Sequence, residues 1–154
     1  MVDTRWLDDA EDAAWRGLRR VNVVTLAAIS RDLQRDSQLS DADYEVLTGL
    51  SESSDDRCRF GDLAGATRWS TSRLSHHLER MEQRGLVERH PSNDDARGSV
   101  VTLTALGRTT IERAAPHHLR SVRRHLFDQL TAEQTAQLAD IATSILKTND
   151  PDAD

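Results

Sequence analysis

At 154 residues the chain is the size of one ordinary domain, long enough to bury a core without disulfides or metals. Aromatics are 4% of it, so the core must come mainly from Leu, Val, Ile and Ala; no run of 18 apolar residues and no basic-then-apolar leader occurs, and the single cysteine, Cys58, excludes an internal disulfide, which points to a cytoplasmic protein with no membrane contact. The net charge of -6 is uneven: between Arg57 and Arg108 nine arginines face six acids, a balance of +3, which leaves -9 on the rest.

Residues 5 to 36 read as a helix, with Leu7, Ala10, Ala14, Leu18, Val21, Leu26, Ile29 and Leu33 recurring every three or four positions. "QLSDADYEVLTGLSES" opens a second helix, with Ser40 as N-cap and Asp43 three residues on, an approximate capping box. "RCRF" has the composition of a very short strand, and "GDLAGAT" of a short third helix. Trp69 and Ser70 make a turn, and Ser70 caps the helix that follows. In that helix Leu74, Leu78 and Met81 form one apolar stripe, and Gly85 closes it.

"LVERH" and "SVVTL" have strand composition and flank "PSNDDARG", a hairpin with a long loop. From Thr104 to about Leu130 the pattern is helical again, with Pro116 expected to kink it, and Thr131 with Gln134 starts a last helix to about Leu146. A short helix, a tight turn, a second helix and a hairpin make a winged helix-turn-helix in a mostly α chain.

The fourth helix carries the chemistry. With Leu74 at the centre of its buried face, Ser72, Arg73, His76 and Arg80 fall on the opposite side. Small hydroxyls allow close approach to the major groove, and arginine grips guanine O6 and N7; free N–H groups around Ser70 and Ser72 suit a phosphate. A solvated face with incidental polar residues is the alternative for any one helix. The hairpin argues against it: Arg97 sits in the loop two positions after Asp95, so the carboxylate can brace a guanidinium suited to a narrow minor groove. Nineteen of the twenty basic residues are arginine, which suits bidentate recognition and is equally the mark of genomic base composition.

"DLAGATRWSTSRLSHHLERMEQRGLVERHPSNDDARGSVVTLTALGR" resembles the MarR (multiple antibiotic resistance regulator) family of bacterial transcription regulators, specifically over residues 39 to 108 and more loosely in the flanking helices. The resemblance implies a homodimer on a pseudo-palindromic double-stranded operator, with residues 1–38 and 109–154 as dimerisation helices around a winged helix-turn-helix at 39–108, in one compact domain overall. The apolar ends "LFDQL" and "LADIATSIL" agree with a symmetric contact. By motif, Ser70, Ser72, Arg73, His76 and His77 become recognition-helix residues, and Arg97 the minor-groove reader braced by Asp95. Many relatives have a second basic residue where this chain has Gly98.

The resemblance further implies a repressor released by a small aromatic or phenolic effector, and Trp15, Arg16 and Arg19 lie in the right region by position. No cofactor is expected. His117, His118 and His125 cluster without Cys or Glu at ligand spacing, so no metal is expected either. Arg57 and Arg59 flank Cys58 and would favour its thiolate in a redox switch, but a packed or partly exposed structural cysteine is the reading preferred. No phosphate loop or nucleophile elbow supports an enzyme. The competing reading is a winged-helix module that binds protein and no specific DNA.

Overall fold

The computed structural model describes residues 5–91 and 98–149. The elements in chain order are α1 (Asp9–Ser37), α2 (Asp41–Ser51), β1 (Arg57–Arg59), α3 (Phe60–Thr67), α4 (Thr71–Gln83), β2 (Val87–Pro91), β3 (Ser99–Leu103), α5 (Ala105–His125) and α6 (Ala132–Asn149), with a 3-10 turn at Phe127–Gln129. Among the described residues no helix is long and apolar enough to cross a membrane.

Local chemistry sets the boundaries. At the start of α1 the Asp8 carboxylate accepts from the amides of Ala10 and Glu11, both at 2.9 Å, and Glu11 accepts from the Asp8 amide. That reciprocal pair satisfies donors no helix can pair for itself. α2 opens on the same device: Ser40 Oγ accepts from the Asp43 amide and the Asp43 carboxylate from the Ser40 amide. Between α3 and α4, Arg68 takes a left-handed conformation, and Ser70 Oγ caps α4 by accepting from the Arg73 amide at 3.2 Å. Gly85, at φ +69°, ends α4 where a side chain would be strained.

The expected two-stranded hairpin is the outer part of a three-stranded antiparallel sheet in the order β1-β3-β2. β1 lies along β3 with Cys58 opposite Val101, and β2 pairs on its other side with Arg89 opposite the same residue. α5 runs through Pro116 without interruption but stops at His125, five residues short of the expected end, and the 3-10 turn takes up the difference.

The chain forms two compact units, which divide within α1 and α5. Ser30–His118 is one, and it holds the main hydrophobic cluster: Leu39, Leu47, Leu50, Leu63, Leu74, Leu78, Met81, Val87 and Val101 are fully buried. Burial of side chains this size stabilises by about 1.5–3 kcal/mol each. At its lower edge Gly107 approaches the Leu86 carbonyl so closely that a β-carbon would lie 2.0 Å from the oxygen. Thr104 fixes that approach, donating to the Gly85 carbonyl and accepting from the Gly107 amide.

The other unit comprises the chain up to Ile29 and from Leu119 onward. α6 has no buried residue, and large apolar side chains stand exposed along both of the unit's long helices, among them Leu18, Val23 and Leu26 of α1 and Leu138, Ile141 and Ile145 of α6.

Candidate nucleic-acid interface

The stripe of Leu74, Leu78 and Met81 turns one side of α4 into the core, which leaves Ser72, Arg73, His76 and Arg80 on an exposed face, as the helical spacing predicts. No acid stands in its first turn. Positive side chains therefore meet the positive end of the helix dipole, an arrangement unfavourable in an isolated helix and favourable beside an anion. Ser70 is exposed too, and its hydroxyl serves as the cap.

His77 departs from the role its motif position implied. Its ring is 7% exposed and packs edge-on against Trp69, with centroids 5.2 Å apart at 89°. Nε2 lies 3.1 Å from Asp43 Oδ1. A side chain enclosed in this way is not available to bases. Burial, and then the neighbouring Arg80 and Arg84, hold its pKa below the ordinary imidazole value against the opposing pull of Asp43.

Trp69 carries more than the turn to which its sequence position assigned it. It stands immediately before the N-cap, and Leu74 is four positions into the helix, the spacing of a hydrophobic staple. Both side chains are buried, and Arg73 lays its guanidinium over the indole at 4.1 Å from the centroid. A cation over an indole gains about 0.5–2 kcal/mol. Arg73 is thus held at the helix start before any ligand arrives. The signal was present in the four-residue spacing of Trp69 and Arg73.

Asp43 joins α2 to α4. Its carboxylate is 4% exposed and accepts from Arg84 Nη1 at 2.8 Å as well as from the Ser40 amide. Burial alone would raise its pKa; the hydrogen bonds from Arg84 and Ser40 outweigh that and hold it below the usual carboxylate range. Arg84 also donates to the Gln38 carbonyl. Glu82 ties α4 to the sheet by accepting from both the amide and the side chain of Arg89, at 3.0 and 2.7 Å. Helix and wing strand therefore share a fixed angle. Asp95 and Arg97, the expected wing-tip pair, lie outside the described residues.

The remaining candidates fall elsewhere. Trp15, Arg16 and Arg19 are exposed on α1; Arg19 lies over the Trp15 ring at 5.8 Å, and Arg16 pairs with Asp12. None of the three lines the pocket of about 400 Å³ within the Ser30–His118 unit. That pocket has Leu33, Tyr44, Thr48 and His118 in its walls, with the carboxylates of Asp41, Glu45 and Glu52 among its lining groups and no Arg or Lys. His118 stacks on Tyr44 at 4.2 Å. Among the described residues no group of three or more His, Cys, Asp or Glu could hold a metal. At Cys58 burial and the nearby Asp62 raise the thiol pKa, and Arg57 turns to Asp55.

A capped helix pair, a basic exposed face on the second helix and a small antiparallel sheet braced against it define a winged helix-turn-helix protein. The family model described as "MarR family" matches residues 37–98. The chain is 44% identical to AbsC, a MarR family transcriptional regulator from Streptomyces coelicolor, over 94% of this chain and 97% of that one, with a TM-score of 0.89. Sco3205, a MarR family transcriptional regulator of the same organism solved in complex with DNA, is 34% identical over 98% of this chain and 95% of its own, with a TM-score of 0.90. The HTH-type transcriptional regulator YdgJ of Bacillus subtilis (strain 168) is 27% identical over 75% of each chain. The chain belongs to the MarR family of transcriptional regulators, which are not enzymes.

Proposed function

We propose that the protein is a homodimeric, sequence-specific regulator that represses by occupying a pseudo-palindromic operator and is released by a small ligand. The observation that carries the DNA reading is the exposed face of Ser72, Arg73, His76 and Arg80 on a helix whose opposite side is locked into the core. The relative that was solved with DNA supports it. Hydroxyls at the helix start admit the backbone of a duplex, Arg73 reaches a guanine edge, and Arg80 lies two turns along for a base or phosphate. Repression is the simplest outcome of such occupancy.

The dimer rests on the exposed apolar side chains of α1 and α6, since a soluble monomer rarely exposes so continuous an apolar surface. A second copy contributing the same surface buries it with closed symmetry. The pocket beside Tyr44 and His118 suits a small neutral aromatic or phenolic effector; its carboxylates, with no Arg or Lys beside them, disfavour an aromatic acid. A ligand there regulates only through different affinity for DNA-competent and incompetent arrangements of the dimer.

The test is selection of bound duplex fragments from the host genome by purified protein at near-physiological salt, where nonspecific phosphate contacts are weaker than at low salt. An enriched inverted repeat with half-sites about 10 base pairs apart, one helical turn, is expected. No enrichment over scrambled sequence, from a protein that light scattering shows to be dimeric, would overturn the reading.

A further inference from the structure

The two arginines of the exposed face are held by one buried pair of rings. Arg73 stacks on Trp69, Trp69 meets the edge of His77, and Arg80 Nη2 lies 2.9 Å from His77 Nδ1. A guanidinium has only donors, so Nδ1 must accept, and a neutral ring then carries its proton on Nε2. That proton is directed to the side where Asp43 Oδ1 stands at 3.1 Å, off the ideal hydrogen-bond axis but close enough for strong attraction. Asp43 is fixed in turn by the Ser40 amide and Arg84. The groups facing the imidazole are therefore Asp43 from α2, Arg80 from α4, Arg84 at its C-terminal cap, and the Trp69 indole from the turn.

Resting on the DNA-binding reading above, we infer that His77 is a positioning residue: it relays the fixed carboxylate of Asp43 to the Arg80 guanidinium and sets where Arg80 meets the operator, without touching DNA itself. The chain of contacts explains why a histidine occupies a buried site that an apolar residue would fill more cheaply. A neutral imidazole offers an acceptor to one flanking cation and a donor to a carboxylate from opposite sides of one rigid ring. Arg80 would otherwise have its full rotamer freedom to lose on binding, and a preset guanidinium loses less.

The experiment is a double-mutant cycle of His77→Phe and Arg80→Ala, read as affinity for the selected operator at fixed salt, with His77→Gln as the conservative variant. Arg80→Ala is expected to weaken binding by about 10-fold in the native background, the worth of one charge-assisted hydrogen bond. With Phe at position 77 the same change is expected to cost about 2-fold or less, the residue of an uncoupled pair. Gln at 77, whose amide oxygen can accept from Arg80, should restore most of the affinity that Phe loses. Independent losses that multiply in the double variant would overturn the inference, as would equal losses for Phe and Gln.

Nitrogen-15 spectra of the histidines provide a readout without DNA, which also stands if His77→Phe fails to fold. An unprotonated Nδ1 on His77 whose shift moves in Arg80→Ala is expected. A protonated Nδ1 at neutral pH would overturn the inference. If the native protein selects no operator, the DNA-binding reading falls with it; if an operator is selected and the losses simply multiply, the role of His77 alone is wrong.

Discussion

Replacing Asp43 with alanine removes the group on which α2, α4 and the buried imidazole converge. Three interactions go at once: acceptance from the Ser40 amide at 2.9 Å, acceptance from Arg84 at 2.8 Å, and the contact with His77 Nε2 at 3.1 Å. The Arg84 head is 42% exposed on its side chain and regains water, so that partner contributes little of the cost. The enclosed His77 nitrogen does not regain it fully, and a buried group left unpaired costs about 1–3 kcal/mol, while loss of half the capping box at Ser40 costs about 1 kcal/mol. A loss of about 3 kcal/mol follows for Asp43→Ala, and in a chain of this length each kcal/mol lowers Tm by about 2–4 °C.

The assay is urea and thermal unfolding at one fixed protomer concentration, because association shifts apparent stability. Asp36→Ala, an exposed ion-pair partner of Arg35, is the control and should stay within about 0.5 kcal/mol of the native protein. A change of under about 0.5 kcal/mol for Asp43→Ala would refute the convergence. The pH dependence has a definite sign. Asp43 has a depressed folded pKa, so its contribution is complete above the unfolded carboxylate value of about 3.9 and is lost as pH falls through the lower folded one. His77, also depressed, favours the folded state while neutral, and that contribution erodes as pH falls below about 6.5 toward its folded value. Asp43→Ala should therefore flatten the acid limb of the stability curve below about pH 4.

Three further outcomes are expected. Gly107→Ala forces a methyl into the Leu86 carbonyl, so it should destabilise by more than about 2 kcal/mol in urea unfolding, whereas Gly65→Ala, with open space around it, should not. Cys58 should react with a neutral alkylating reagent at pH 7 more slowly than free cysteine, since burial and Asp62 keep the thiol protonated; faster reaction would restore the redox reading. A paired change of Val23→Glu and Ile141→Glu on the exposed apolar surface should yield monomers by light scattering, and an unchanged dimer would place the interface elsewhere.

Most of the architecture was legible because it is written in short-range chemistry. Ser40 with Asp43, Ser70 before the Leu74 stripe, and Gly85 after it each declare a helix boundary within four residues, and the structure keeps all three. The end of α5 was not legible: the chain departs from helical geometry at Leu126, where no glycine or proline marks a stop, while Pro116 stands inside a helix that continues. β1 had the right composition, but its pairing with β3 spans more than forty residues and no local pattern announces it.

The same division runs through the candidate interface. The outward positions of Ser72, Arg73, His76 and Arg80 follow from helical pitch alone. The same pitch sets His77 off that face, although its motif position paired it with His76; its partners, Asp43 thirty-four positions earlier and Trp69 in the turn, are not legible from pitch. Cys58 packs against the core as a structural cysteine, and its approach to Asp62 is not legible from the flanking Arg57 and Arg59.

The central claim is that the exposed face of α4 reads base edges, and Arg73 tests it most directly. On the selected operator, Arg73→Ala should cost about 1–3 kcal/mol and relax base preference at one position in each half-site while leaving the other positions as selective as before. A loss of similar size spread evenly over operator and scrambled duplex, with a salt dependence shallower by about one phosphate contact, would mean that Arg73 grips only the backbone and that sequence is read from another surface.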